Sequence, residues 1–166
     1  VSSNQDSADA GTPGDVFVDQ SSVIPGRQVS LRAAIHDANN YAGGAMLGIY
    51  VPRGNYQLTI PGLSDSGIGD TVGDLDIGHS VMVLGTGAGE TIIDATPLQA
   101  SSSDRVFEVL GGATLDLSGV TVTGGRPTNL SGFSGGGILV HDGATLNLSN
   151  SAITGNGGHK GVRTIS

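Results

Sequence analysis

The chain has 166 residues, 37% of them apolar, with 29 Gly, three Phe, three Tyr and no Trp, which suits one domain with a thin, aliphatic core. Fifteen acidic residues against seven basic ones give a formal charge of −8, which repels phosphate backbones and argues against nucleic acid as a partner. Cysteine is absent, so disulfides, thiolate metal sites and cysteine nucleophiles are excluded, and no run of roughly 18 apolar residues is available to span a membrane.

Residues 1–14 are polar and read as a flexible N-terminal arm. An N-terminal cap over 15–60 follows, opening on a short strand at Asp15–Asp19. Leu31, Ala34, Ile35 and Ala38 then recur at helical spacing behind Ser30, a good N-cap, with Gly43 and Gly44 just past the end, so a helix is predicted over about 31–41. Strands are predicted at Ile49–Pro52 and Tyr56–Ile60 around a turn at Arg53, Gly54 and Asn55. From 61 to 166 the pattern is that of short strands and Gly-rich turns. An acidic loop from Gly62 to Asp74 leads to strands at Leu75–Ile77, Val81–Val83 and Thr91–Asp94, then to an exposed loop over Pro97–Asp104.

The most informative feature comes next. Val109–Gly124 returns 31 residues later as Val140–Gly155, matching at 9 of 16 positions. In the first copy Ala113, Leu115 and Leu117 alternate with Thr114, Asp116 and Ser118; in the second, Ala144, Leu146 and Leu148 alternate with Thr145, Asn147 and Ser149. That is the period of a half-buried strand. Gly119 and Asn150 follow, the residue types that most readily take left-handed angles, and mark a corner before the chain resumes at Val120 or Ser151. A unit this short cannot bury its own apolar face and must stack on a copy of itself. The predicted fold is therefore all-β: a right-handed parallel β-helix, a three-sided solenoid, with an N-terminal capping α-helix. The clearest coils are the pair 105–135 and 136–166, and beyond Asn156 the expectation is either that the stack is cut or that the tail is its cap.

Val29-Ser-Leu-Arg-Ala-Ala-Ile-His-Asp-Ala-Asn39 resembles the C-S-L-R-E-A-I-x-x-A-N segment of the CSLREA family of bacterial surface and secreted proteins. Ile49–Thr59, Gly73–Ile77, Arg105–Val109 and Gly135–Leu139 extend the likeness over about 15–156. Val29 replaces the family's Cys, and Ala33 its Glu. The resemblance implies a pectate-lyase-like shape and a secreted or cell-surface location, with no assigned reaction.

Two groups of residues stand out as sites. Asp65, Asp70, Asp74 and Asp76 could supply hard oxygen ligands for Ca²⁺, although their spacing fits no calcium motif and the plainer reading is a solvated acidic loop. Arg126, Asn129 and Phe133 lie on the long turn 126–135, where a binding partner is expected. No catalytic residue is assigned. Between the two repeats Asp116 gives way to Asn147 and Glu108 to Leu139, so no carboxylate pair runs along a face there. The four histidines are scattered and read as surface residues. The function expected is structural, adhesive or glycan-binding, with a polysaccharide lyase or glycoside hydrolase acting on acidic polysaccharide as the alternative. The expected partners are a glycan or other cell-surface polymer and, through an open C-terminal end, a second copy of the chain.

Overall fold

The structure is a computed structural model that describes residues 1–7, 29–62, 71–101, 104–127, 135–157 and 162–164. The predicted strand at 15–19 lies outside these residues. Within them are one α-helix, α1 (Leu31–Asn39), and short strands β1 (Leu47–Tyr50), β2 (Gly54–Gln57), β3 (Leu75–Ile77), β4 (Val81–Leu84), β5 (Thr91–Asp94) and β6 (Phe107–Val109). The order continues with β7 (Thr114–Ser118), β8 (Thr121–Thr123), β9 (Ile138–Val140), β10 (Thr145–Ser149), β11 (Ala152–Ile153) and β12 (Val162–Thr164).

The chain visits three sheets in rotation. Sheet A is β1-β4-β7-β10, sheet B is β2-β5-β8-β11 and sheet C is β3-β6-β9-β12, each of four strands. Every pairing is parallel. The molecule is thus mostly sheet with little helix, an arrangement compatible with a parallel β-solenoid.

Register converts the sequence alternation into vertical files of side chains. On the inner side of sheet A, Leu47, Val81, Leu115 and Leu146 form one file and Ile49, Val83, Leu117 and Leu148 the next. Sheet B contributes Tyr56, Ile93, Val122 and Ile153, and sheet C adds Leu75, Phe107, Ile138 and Val162. The middle members of these files are fully buried in one apolar cluster. Burial fades at the last strand: Leu146 is only partly covered and Leu148 is 47% exposed. The corners recur with the strands. Gly119 and Asn150 take φ of 67° and 49°, the left-handed angles expected of a sharp bend at equivalent points of the two repeats.

Helix α1 starts where the sequence places it, with the Ser30 Oγ accepting from the Ala33 N–H at 2.9 Å, and it ends at Asn39, two residues short of the predicted limit. Leu31, Ile35 and Ala38 join the core, and the helix lies against β1 and β3.

Three details differ from the sequence reading. Gly54 and Asn55 begin a strand rather than a turn, because the chain moves from one sheet to the next at a corner and never reverses as a hairpin would. The stretch predicted as an exposed loop over 97–104 is only partly exposed where it is described: a 3-10 turn at Thr96–Ala100 buries Leu98 and Asp104 is buried, Ala100 and Ser101 are exposed, and residues 102–103 lie outside the described residues. Of the predicted arm, residues 8–14 lie outside the described residues, and residues 1–7 are hydrogen-bonded to the rest of the chain. The Val1 amino group donates to the Tyr50 carbonyl at 2.8 Å, the Ser2 and Ser3 N–H groups donate to Val29 O, and Asp6 is anchored by four donors.

Candidate functional site

Buried charge collects where sheet C turns its outer side to the rest of the protein. In a parallel stack, side chains at paired positions lie one above the other, and β3 pairs β6 with Asp76 against Glu108. Both face away from the inner files, yet both are buried, as is Leu139, which continues the row on β9. Asp74, one residue before β3, and Asp104 and Arg105, just before β6, complete the group and are also buried.

Isolated charges are not stable in such a place, so pairing decides what each does. The Arg105 guanidinium donates through Nη1 to Glu108 Oε2 and lies 3.8 Å from Asp74 Oδ2. Glu108 Oε1 meets His141 Nε2, whose imidazole is about one-third exposed and forms the outer edge of the group. Asp104 serves the backbone, accepting from Arg105 N at 2.9 Å and Asp74 N at 3.3 Å. Asp74, Asp76 and Glu108 each bring one carboxylate oxygen within 4.8 Å of the others, so this cluster could hold a metal ion.

A second buried ion pair locks the N-terminal residues to it. Arg32, in the first turn of α1, donates Nε to Asp6 Oδ1 at 2.6 Å and Nη2 to Asp6 Oδ2 at 3.3 Å, a bidentate fork. Further donors go to Asp74 O at 3.1 Å and Gly73 O at 2.7 Å, while Asp6 Oδ2 also accepts from Thr59 N and Ile60 N. Asn39, at the far end of α1, donates to Asp76 O and accepts from Gly78 N and His79 N. The helix thus positions the backbone of β3 from both of its ends.

Of the four aspartates singled out by sequence, Asp74 and Asp76 belong to this cluster, and Asp65 and Asp70 lie outside the described residues. Asp74 and Asp76 are not on a solvated loop; both are buried, and Arg105 from the following turn of the chain lies 3.8 Å from Asp74. Glu108, Arg105 and His141 were missed as partners. The signal is present in the sequence: Leu75-Asp76-Ile77 and Phe107-Glu108-Val109 are both apolar-acid-apolar triplets. His79 is likewise more engaged than a surface histidine, with Nε2 2.8 Å from Gly43 O and its ring edge-on to Tyr41. Of the expected binding turn, Arg126 is exposed and its N–H donates to Asp104 O at 2.8 Å; Asn129 and Phe133 lie outside the described residues.

The outer side of sheet A is different in kind, half-buried in its middle strands and exposed at Tyr50, Asn147 and Ser149. One file is Tyr50, Leu84, Ser118 and Ser149, and its neighbour is Gly48, Met82, Asp116 and Asn147. Tyr50 is 58% exposed, and Asn147 donates Nδ2 to Asp116 Oδ1 at 2.7 Å across the strands.

No family model matches the chain. No curated protein matches it. No solved structure matches it. Among the described residues no helix is long and apolar enough to cross a membrane.

Proposed function

We propose that the chain is a right-handed, three-sided parallel β-helix, closed at its N-terminal end by α1, that acts as a secreted or cell-surface module adhering to glycan or a similar polymer. The rotation of the chain through sheets A, B and C in strict order supports the solenoid, and the general preference of parallel crossovers supports its hand. The likeness of residues 29–39 to the CSLREA segment supports the location.

The observation that carries the binding role is the outer side of sheet A. Tyr50 offers an exposed aromatic plane, and in the same two files lie the hydroxyls of Ser118 and Ser149 and the carboxylate-amide pair of Asp116 and Asn147. A sugar ring has an apolar face and a hydroxyl-rich edge, so a surface with an exposed amphipathic ring beside donors and acceptors is complementary to it. Retention on a panel of insoluble cell-wall polysaccharides tests this. At least one should hold the protein, and Tyr50→Ala should weaken that binding about tenfold, a loss of about 1.4 kcal/mol. Passage of the unmodified protein through every matrix would leave a purely structural role.

Calcium at Asp74, Asp76 and Glu108 is a second reading, carried by the 4.8 Å grouping of their oxygens. Carboxylates are the right donors for a hard cation, which also needs further oxygens to reach its usual six to eight. Titration with CaCl₂ should then release heat and raise the melting temperature, and Asp76→Asn should abolish both; a silent titration with an unmoved melting curve rejects calcium. A lyase or hydrolase is the weaker alternative. Carboxylates and an arginine do converge, but Asp74, Asp76 and Arg105 are buried, and a polymer substrate needs them in an open groove.

A further inference from the structure

Gly48 is the one glycine in the interior of a strand among the described residues, and nothing in the fold there requires it. Glycine weakens a strand, so its presence marks a bulge, a sharp bend, or a close approach by another backbone or by a ligand. The register from Leu47 against Val81 to Tyr50 against Leu84 runs without interruption, which removes the bulge. Its φ lies outside the left-handed region, so no such bend calls for it. A Cβ on Gly48 would meet no atom of the described residues within 4 Å, which removes the neighbouring backbone. A ligand is the reason that remains.

The space it leaves adjoins the exposed ring of Tyr50. On the outer side of β1 and β4, Tyr50 pairs with Leu84 and Gly48 with Met82, so the four positions form a square. Three corners carry large apolar side chains and the fourth carries none. Met46, 40% exposed, falls on the same side of the chain by strand alternation and bounds the gap at its other end. The gap is therefore one side chain deep, floored by backbone and walled by two thioethers and a phenol ring. Asp116 follows Met82 in the file and is the one charged residue of these two outer rows, in a chain of formal charge −8.

We infer that the gap at Gly48 is a subsite for the acetamido group of an N-acetylated amino sugar, and that the polymer recognised is an uncharged one built of such sugars. The inference rests on the reading of sheet A as a glycan-binding face and names the class of glycan. With a sugar ring stacked on Tyr50, a substituent on its edge points into the gap. An acetamido methyl is small and apolar, and gains by leaving water for the two methionine side chains, while its amide stays at the mouth in reach of water. A hydroxyl or an ammonium in the same place would lose its hydration to walls that offer no hydrogen bond in return. Carboxylated and sulfated polymers are repelled by Asp116 and by the net charge of the chain.

Binding of the full chain to chitin, cellulose and chitosan tests it, since these share one backbone and carry an acetamide, a hydroxyl or a free amine at the same carbon. Chitin should bind at least tenfold more tightly than either of the others. Gly48→Thr should erase that preference, bringing chitin down to the level of cellulose, with the melting temperature unchanged or raised, because a β-branched residue suits a strand and its Cβ has room. Gly48→Ala, which fills less of the gap, should give an intermediate loss. Cellulose or chitosan held as tightly as chitin overturns the acetamido subsite and leaves glycan adhesion standing, as does a folded Gly48→Thr protein that keeps its preference for chitin. Passage of the protein through all three and through every other polysaccharide overturns both readings.

Discussion

Arg105 shows how much a single side chain can carry in a thin fold. Its guanidinium is the positive charge beside Glu108 and Asp74, all three buried. Removing one member of a buried pair leaves the other uncompensated, which costs about 3–5 kcal/mol. Arg105→Met should lose about that much in urea denaturation, whereas Arg53→Met, which breaks the exposed pair with Glu90, should lose less than about 1 kcal/mol. Tyr56 sets an alkaline limit. Burial, and then the nearby Tyr50, push its phenol above the ordinary value of 10.0, and its hydroxyl donates to Pro52 O at 3.0 Å. The folded state therefore holds this proton more tightly than the unfolded one. The stabilisation is complete below pH 10.0 and is lost as the pH rises through the folded value. Tyr56→Phe should flatten that alkaline fall in stability while leaving the curve near neutrality with the same slope; an unaltered fall would move its origin elsewhere.

The strands differ in what they bury even where their sequences agree. Leu115 and Leu117 on β7 lie under further strands, while Leu146 and Leu148, identical residues in register on β10, lie at the edge. Leu115→Ala should cost about 2–5 kcal/mol, and Leu148→Ala less than about 1 kcal/mol. Equal losses would mean that β10 is covered as deeply as β7. This pair also marks the reach of sequence reading. The alternation in Thr114–Ser118 and Thr145–Ser149 made both strands legible, and the Gly119 and Asn150 corners followed from their backbone preferences. Exposure depends on what lies above, which a repeat cannot state about its own last copy. The charge cluster was hidden for a related reason. Asp76 meets Glu108 only once the register between β3 and β6 is known, and that stretch has diverged too far for simple repetition to reveal it.

At the scale of the molecule, almost all of the order is vertical. Each strand finds its partners one turn of chain away, so each file of side chains is as strong as its neighbouring pairs. Partly buried polar contacts follow the same axis: Asn156 donates to Val122 O and accepts from Gly125 N, and Ser151 accepts from Val120 N, all between successive turns. Glycines sit where the turns come closest; a Cβ on Gly119 would stand 3.0 Å from the Gly85 carbonyl oxygen of the turn below. Gly119→Val adds left-handed strain to that clash and should cost about 2 kcal/mol or more, read by thermal melting. In-register parallel stacking is the claim on which sites, corners and edges all depend. A double variant, Thr114→Cys with Thr145→Cys, tests it directly in this cysteine-free chain. The paired positions should form an intramolecular disulfide readily under mild oxidation, since neighbouring strands about 4.8 Å apart fall within disulfide range. Thr114→Cys with Asn147→Cys, two residues out of register, should resist. Ready closure of the second pair in place of the first, in a protein with its native spectrum, would contradict the stacked register.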